Sequence, residues 1–337
     1  PPHRPLVVPG VHGYTRSKTV HAGEPIDIHI SSDRPYHLSV CRLGPDPDSR
    51  REDTVVADLG ASPARVQPIH PGSYIHVERG LPAALTLSGL TLECWVMPWR
   101  STGERQALIT QYDAPGHCGF GLFIEADGAL ALYLGDGGLQ SENGLHVAQG
   151  LATRRWQHVV ATWDGRSAAL WIDGACAGHW PRSGPVCPGA APLRLGAAGH
   201  AHGVEALADV DLALPVIYER ALSGDEIAAR AAQRALRLPV DPAVRACWPL
   251  REGRGDAVVD TSGHQRAGRI VNHGTWMVRG PAFDDAADEA QDAFDPHGQR
   301  QGLRLAGDDL YDCRWTATHS LTLPSDARPG LHVARLR

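Results

Sequence analysis

The sequence of 337 residues lacks any apolar run close to the about 20 residues of a transmembrane helix. It also lacks a basic excess, because 38 Asp and Glu outweigh 32 Lys and Arg and give a formal net charge of -6. Nucleic acids and anionic membrane surfaces attract basic patches, so neither is expected as a partner. The N-terminus has no signal-peptide pattern and no initiator Met, which indicates processing or a boundary within a longer chain.

Motifs of catalysis are missing as well. The sequence contains no nucleophile elbow, P-loop, dinucleotide fingerprint or HExxH. Ser-His-Asp and Cys-His groupings meet only in space, and chance pairs are expected among 18 histidines. We therefore assign no catalytic residue, and a hydrolase complete within these residues is the least supported function.

The cysteines form no CxxC pair, and their number, seven, is odd. In a chain of this length, that pattern argues against a disulfide framework and predicts reduced, mostly buried thiols. Reduced thiols fit a cytoplasmic location, which we expect. The seven are Cys41, Cys94, Cys118, Cys176, Cys187, Cys247 and Cys313.

Strand patterns divide the chain into four segments. Residues 1–80 carry period-two alternation at 24–30 and 37–43, typical of an Ig-like β-sandwich. Residues 81–245 hold alternating strands separated by Asp-Gly turns at 127–128, 164–165 and 173–174, which indicate hairpins. Residues 246–300 form a β extension and an acidic loop. Residues 301–337 supply strands that would complete the Ig-like domain, with the central domain inserted into it.

One short helix follows the central strands. Ser223 and Glu226 have the spacing of a capping box, and Leu222 and Ile227 that of a hydrophobic staple. We expect this helix to run to about Arg237, before Pro239.

The acidic loop contains Asp284, Asp285, Asp288, Glu289, Asp292 and Asp295. The last strand reaches the C-terminus without a turn signal, so we expect the natural chain to continue.

Six stretches, in order along the chain, resemble the laminin-G-like (LamG), concanavalin A-like jelly roll. They predict an all-β fold in which this jelly-roll sandwich accompanies the Ig-like sandwich. Domains of this kind bind glycans, proteins or calcium in some members and only pack against neighbours in others. The stretches are 92–96 (LECWV), 156–165 (WQHVVATWDG), 170–174 (LWIDG), 217–223 (IYERALS), 248–255 (WPLREGRG) and 259–263 (VDTSG).

The wider arrangement resembles the N-terminal portion of N,N-dimethylformamidase large (beta) subunits. It adds 213–218 (ALPVIY), 322–324 (TLP) and 329–337 (PGLHVARLR) to those stretches. The resemblance implies an amidohydrolase that releases dimethylamine and formate, assembled from large-subunit copies and a small partner subunit. It also implies an iron held by two tyrosines and a glutamate in a domain beyond Arg337, so no catalytic residue is carried over to this sequence.

Four residues are weak candidates for metal binding. His200 and His202 would share one face of a strand and hold a metal there, although the flanking glycines favour a loop. Asp209 and Asp211 could place two carboxylates near a calcium ion, and the alternative is a solvated turn or edge. The sequence at 210–214 departs from the family pattern Gly-x-Ile-Asp-Glu, which weakens the calcium assignment.

Two further patterns bear on sugars. Glycosidases of this fold carry acids at alternating positions of one strand. Here Glu125 and Asp127 match the first two positions, but Ala129 stands at the third, so glycoside hydrolysis is disfavoured. Six tryptophans could form a sugar-stacking platform, but in a sandwich such residues more often belong to the core. They are Trp95, Trp99, Trp156, Trp163, Trp171 and Trp180. Two functions therefore stay open: a non-catalytic scaffold of a formamidase, or a free-standing lectin-like module that binds carbohydrate or protein.

Overall fold

The computed structural model describes residues 3–46, 48–83, 85–138, 144–187, 189–235, 237–283 and 302–337. Within these ranges the chain forms 22 strands and one helix, which confirms the all-β fold class. The elements are β1 (Val11–Thr15), β2 (Pro25–Ser32), β3 (Tyr36–Arg42), β4 (Thr54–Ser62), β5 (Tyr74–Val77), β6 (Leu90–Pro98), β7 (Gln106–Asp113), β8 (Cys118–Ile124), β9 (Ala129–Asp136), β10 (Leu145–Gly150), β11 (Gln157–Trp163), β12 (Ser167–Ile172), β13 (Ala175–Pro181), β14 (Arg194–Leu195), β15 (Val210–Tyr218), α1 (Gly224–Ala232), β16 (Val244–Cys247), β17 (Ala257–Val258), β18 (Gly268–Val271), β19 (Thr275–Trp276), β20 (Leu303–Leu305), β21 (His319–Thr322) and β22 (His332–Leu336).

The chain divides into two compact units. The jelly-roll unit comprises residues 1–4 and 71–311, and the small sandwich unit comprises residues 5–70 and 312–337. The acidic residues predicted at 284–295 lie outside the described residues.

Two large sheets build the jelly-roll unit. The first has the order β10-β9-β8-β7-β14-β5-β18-β17, and the second has the order β13-β12-β11-β6-β15-β20-β19 with β16 beside β15. Apolar side chains of both sheets pack into one core, for example Leu122 and Leu132 of the first and Leu92 and Val159 of the second. Strands β16 to β20 therefore belong to these sheets.

The predicted Asp-Gly hairpins are present, but only one is a two-residue turn with both residues at positive φ. Asp173 and Gly174 have φ of 51° and 83°. At the other two turns only the glycine is left-handed, and the aspartate bonds the backbone instead. Asp127 Oδ1 accepts from Ala129 N at 2.9 Å, and Asp164 Oδ1 accepts from Ser167 N at 2.7 Å. These aspartates therefore stabilise their turns through side-chain hydrogen bonds.

Helix α1 begins as predicted and ends earlier than predicted. Ser223 and Glu226 form the capping box, and Leu222 and Ile227 are buried in the same apolar cluster. The expected extension to Arg237 is wrong, because the helix ends at Ala232 and the backbone turns left-handed at Arg234 and Ala235.

The small sandwich unit is built from two distant parts of the chain. Its sheets have the orders β1-β2-β21 and β22-β3-β4. Strand β21 pairs with β2 through Ile26 and Leu321, and β22 pairs with β3 through Val40 and Ala334. Strands near both chain ends thus meet in one unit, with the jelly roll inserted between them.

Candidate functional site

The outer face of the second large sheet carries a cluster of acid and base side chains. Glu93 lies on β6, His158 on β11, Tyr218 on β15 and Arg230 on α1. Antiparallel pairing of β6 with both β11 and β15 brings the first three together. The cluster, here called the Glu93 network, unites residues up to 137 positions apart in sequence.

The other three side chains of the Glu93 network all bond the Glu93 carboxylate. His158 Nε2 lies 3.0 Å from Glu93 Oε1, and Tyr218 Oη donates to Oε2 at 2.7 Å. Arg230 Nε lies 2.9 Å and 3.2 Å from the two oxygens. Since an ionised carboxylate only accepts, His158 donates through Nε2. This arrangement leaves His158 Nδ1 buried, with no hydrogen-bond partner among the described residues.

The electrostatics fix the protonation of this network. Burial alone would raise the pKa of Glu93, but the His158 hydrogen bond and the Arg230 charge outweigh it and lower that pKa. Burial and the Glu93 charge raise the pKa of Tyr218 far above its ordinary value. The side chains of Glu93 and His158 are 1% and 0% exposed, and that of Arg230 is 12% exposed. The carboxylate is therefore ionised, saturated and out of reach of a substrate.

The two predicted calcium candidates are buried in ion pairs. Asp209 is 5% exposed and binds Arg100 Nε at 2.5 Å, and Asp211 is 0% exposed and binds Arg304 Nε at 2.9 Å. The alternative of a solvated turn or edge is wrong, because Asp211 lies inside β15 and Asp209 directly precedes it. An arginine faces each carboxylate, so a cation would have to displace it.

The two predicted histidine candidates lie in a loop. His200 and His202 are both exposed, and His202 N lies 3.3 Å from His200 Nδ1. Buried Arg194 holds this loop through the carbonyls of Ala198, His200 and Gly203. Across the described ranges, no three His, Cys, Asp or Glu side chains converge on one point.

A second polar cluster lies on the outer face of the first large sheet and was not predicted from the sequence. Glu125 accepts from Arg105 Nε at 3.1 Å and from Tyr133 Oη at 3.0 Å. Asp127 instead accepts from the backbone of its own turn. The Arg105 guanidinium lies 4.6 Å from the Tyr133 ring centroid, and Phe123 packs edge-on against that ring. Burial raises the pKa of Tyr133 to about 12. We call Arg105, Phe123, Glu125 and Tyr133 the aromatic corner.

The six tryptophans do not form one class. Trp163 and Trp95 are buried, at 2% and 6% exposure, and belong to apolar clusters. The other four are half-buried, and Trp99 stacks under Arg304 at 3.7 Å. The core interpretation therefore holds for Trp163 and Trp95, and Trp156, Trp171 and Trp180 pack against the same clusters. The four half-buried residues are Trp99, Trp156, Trp171 and Trp180.

The thiols are less uniformly buried than expected. All seven cysteines are free, but only Cys41, Cys94 and Cys247 are buried, and Cys176 is exposed.

No helix in the described part of the chain is long and apolar enough to cross a membrane.

Comparisons with known proteins agree with the jelly-roll assignment. Residues 71–228 match the family model of the Concanavalin A-like lectin/glucanases superfamily. Two solved structures show a weaker likeness to this chain. A candidate carbohydrate-binding protein of Bacteroides ovatus is 15% identical with a TM-score of 0.45, covering 74% of this chain and 68% of its own. A SAP-like pentraxin of Limulus polyphemus is 14% identical with a TM-score of 0.43, covering 70% of this chain and 94% of its own.

One curated relative matches nearly the whole chain. The N,N-dimethylformamidase beta subunit of Paracoccus aminophilus is 24% identical over 368 residues, covering 97% of this chain and 47% of the relative. The resemblance predicted from the sequence motifs is thereby confirmed. The chain spans about half the length of the curated relative it matches.

Proposed function

We propose that this chain is a non-catalytic, subunit-assembly portion of an N,N-dimethylformamidase-like amidohydrolase. The parent enzyme would hydrolyse N,N-dimethylformamide to dimethylamine and formate. Its iron would lie in a domain other than the two described here. The similarity over 97% of the chain supports the choice of parent enzyme.

The Glu93 network is the observation that carries the non-catalytic role. Within the described residues it brings a carboxylate, an imidazole, a phenol and a guanidinium together, and catalysis needs such groups within reach of a substrate. Here each group binds Glu93, and the Glu93 and His158 side chains are almost fully buried. The network instead ties α1 to β6, β11 and β15. Its role is therefore to fix the helix on the sheet.

Replacing Glu93 by glutamine tests this role in the native enzyme. Removing one partner of a buried charge cluster costs about 3 to 5 kcal/mol of folding free energy. We expect Glu93→Gln to lower the melting temperature, while kcat for dimethylamine release per bound iron stays within about twofold in protein that remains folded. Glu125→Gln, which alters a carboxylate paired with arginine and tyrosine nearer the surface, is the matched control.

A hundredfold or greater fall in kcat in folded Glu93→Gln enzyme would contradict the proposal, because a loss of about that size marks a group acting in the transition state. Partners are tested separately by native mass spectrometry of the enzyme from its own cell. We expect the complex to contain copies of the large subunit together with a small second subunit. We also expect the enzyme to be located in the reducing cytoplasm. A single chain of 36.1 kDa would contradict assembly.

The aromatic corner supports a second function, a lectin-like module that binds carbohydrate. The Phe123 and Tyr133 rings are 2% and 6% exposed and do not stack on a sugar, but the Arg105 and Glu125 side chains, at 42% and 16% exposure, can bond its hydroxyls. His146, which is exposed, lies 6.1 Å from the Tyr133 ring. A glycan array distinguishes the two functions. Glycan binding that is lost in Arg105→Ala would favour the carbohydrate-binding module. Absence of binding to any glycan on the array would favour the scaffold.

A further inference from the structure

A cavity of about 510 Å³ lies in the small sandwich unit. Its lining includes Ile26 and Ile28 of β2 and Val40 of β3, so both sheets contribute to it. The loop between β1 and β2 and the loop between β21 and β22 form its rim. A cavity of this size falls within the range of small-molecule sites.

The floor of the cavity is apolar and continuous with the core. Ile28 and Val40 are 3% and 6% exposed and belong to the central cluster of the unit. Ile26, Leu323 and Val333 extend this surface into the cavity. Such a floor favours an aliphatic or aromatic body over a fully polar ligand.

The rim carries positive charge. Lys18 and Arg328 line it and are exposed, and Lys18 is the only lysine in the 337-residue sequence. None of the described lining residues is acidic, although the chain contains 38 Asp and Glu. Lining residues that include two cations and no carboxylate are complementary to an anion.

A further polar group of the lining lacks a partner. His332 Nδ1 lies 3.0 Å from the Gly330 carbonyl, so Nδ1 carries the proton and donates. His332 Nε2 is buried, and within the described residues it has no hydrogen-bond partner. Because Nδ1 carries the proton, Nε2 only accepts, so a ligand hydroxyl or N–H would satisfy it, whereas an ionised carboxylate would not.

We propose that this cavity binds a small amphipathic monocarboxylate. The carboxylate lies between Lys18 and Arg328, and the apolar body covers Ile26, Ile28 and Val40. The site lies within the small sandwich unit and does not depend on the amidohydrolase function. Formate, the product expected of the parent enzyme, lacks the apolar body and should bind far more weakly.

The single lysine allows a direct test in the intact protein. Reductive methylation followed by peptide mapping reports how fast Lys18 reacts, with octanoate, octan-1-ol or formate present at equal concentrations. We expect octanoate to slow the reaction, with a half-maximal concentration about tenfold or more below that of the other two. Octan-1-ol lacks the charge-assisted contact, and formate lacks the apolar chain that covers the floor. Equal protection by octanoate and octan-1-ol, or by octanoate and formate, would overturn the proposal. Absence of protection by millimolar octanoate would do the same.

Two variants separate the charge from the apolar floor. Arg328→Glu alters an exposed side chain, leaves Lys18 as reporter, and should weaken octanoate protection about tenfold or more. Val40→Trp fills the cavity and should remove protection while keeping both charges. Arg50→Glu, an exposed reversal in the same unit but outside the lining, is the matched control and should change nothing. Full protection in Arg328→Glu would overturn the proposal, even if Val40→Trp failed to fold.

Discussion

At the scale of single residues, a buried carboxylate can serve either as a metal ligand or as the partner of an arginine. Asp211 is fully buried, and both of its oxygens bind Arg304, at 2.9 Å and 3.3 Å. A calcium ion needs several oxygen ligands around it, and the guanidinium occupies that side of the carboxylate. Asp211 is therefore a structural ion-pair partner.

This assignment makes a prediction about calcium. Millimolar calcium should leave the melting temperature unchanged, whereas Asp211→Asn should lower the free energy of unfolding by about 3 kcal/mol, because Arg304 loses its partner. Both effects are measured by thermal and urea unfolding. Asp326→Asn, at an exposed position, should change the free energy by less than about 0.5 kcal/mol. Stabilisation by calcium that disappears in Asp211→Asn would restore the metal assignment.

Single residues are also where sequence reasoning reaches its limit. Period-two patterns predicted the strands around Glu93 and His158, but not the register that joins them or the place of Tyr218, 125 positions away from Glu93. One signal was present. Glu93 is the one charged residue of a strand in which every other residue except Thr91 is apolar, and such a residue needs a buried partner.

At the scale of elements, the start of α1 can be predicted from a local sequence pattern, but its end cannot. The capping box is a local pattern of four residues, and it forms as predicted. The end depends on Arg234 and Ala235, which adopt φ of 46° and 63°. Neither is the glycine that usually marks such a stop, so the surrounding packing must impose this conformation.

The capping box predicts how stability depends on pH. The hydrogen bonds from Arg220 and from the Ser223 backbone lower the pKa of Glu226 to about 2. Because this pKa is depressed on folding, the stabilisation is present above the ordinary value of 4.5 and is lost as the pH falls through about 2.

Comparison of Glu226→Gln with the parent protein measures this effect. The Glu226 side chain is 42% exposed, so solvent screening limits its contribution to about 1 kcal/mol at pH 6. We expect the difference in urea unfolding free energy to shrink towards pH 2.5. Asp225→Asn, the neighbouring acid without the Arg220 contact, is the control. A difference that is constant or grows on acidification would refute the role given to Glu226.

At the scale of the whole molecule, ordered motifs predicted more than any single residue did. The order of six short stretches predicted the jelly roll, because their turns and buried strands recur together in that fold. The strands after residue 246 were harder to assign. Strands β17 and β19 have only two residues each, too few for a period to show.

The small sandwich unit leads to a prediction about the chain as a whole. Residues 312–337 supply one strand to each of its three-stranded sheets and none to the jelly-roll sheets. A two-stranded remnant is marginal in water. Deleting these residues should therefore abolish hydrogen-exchange protection in β2 and β3, while β6 and β11 stay protected because both their neighbours remain. The doubly substituted Asp46→Asn, Arg50→Gln chain, changed only at exposed positions of the small unit, is the control and should keep both sets protected. Loss of protection throughout the deleted chain would mean that the jelly-roll unit requires the small sandwich in order to fold, and retained protection in β2 would mean that β21 is dispensable to its sheet.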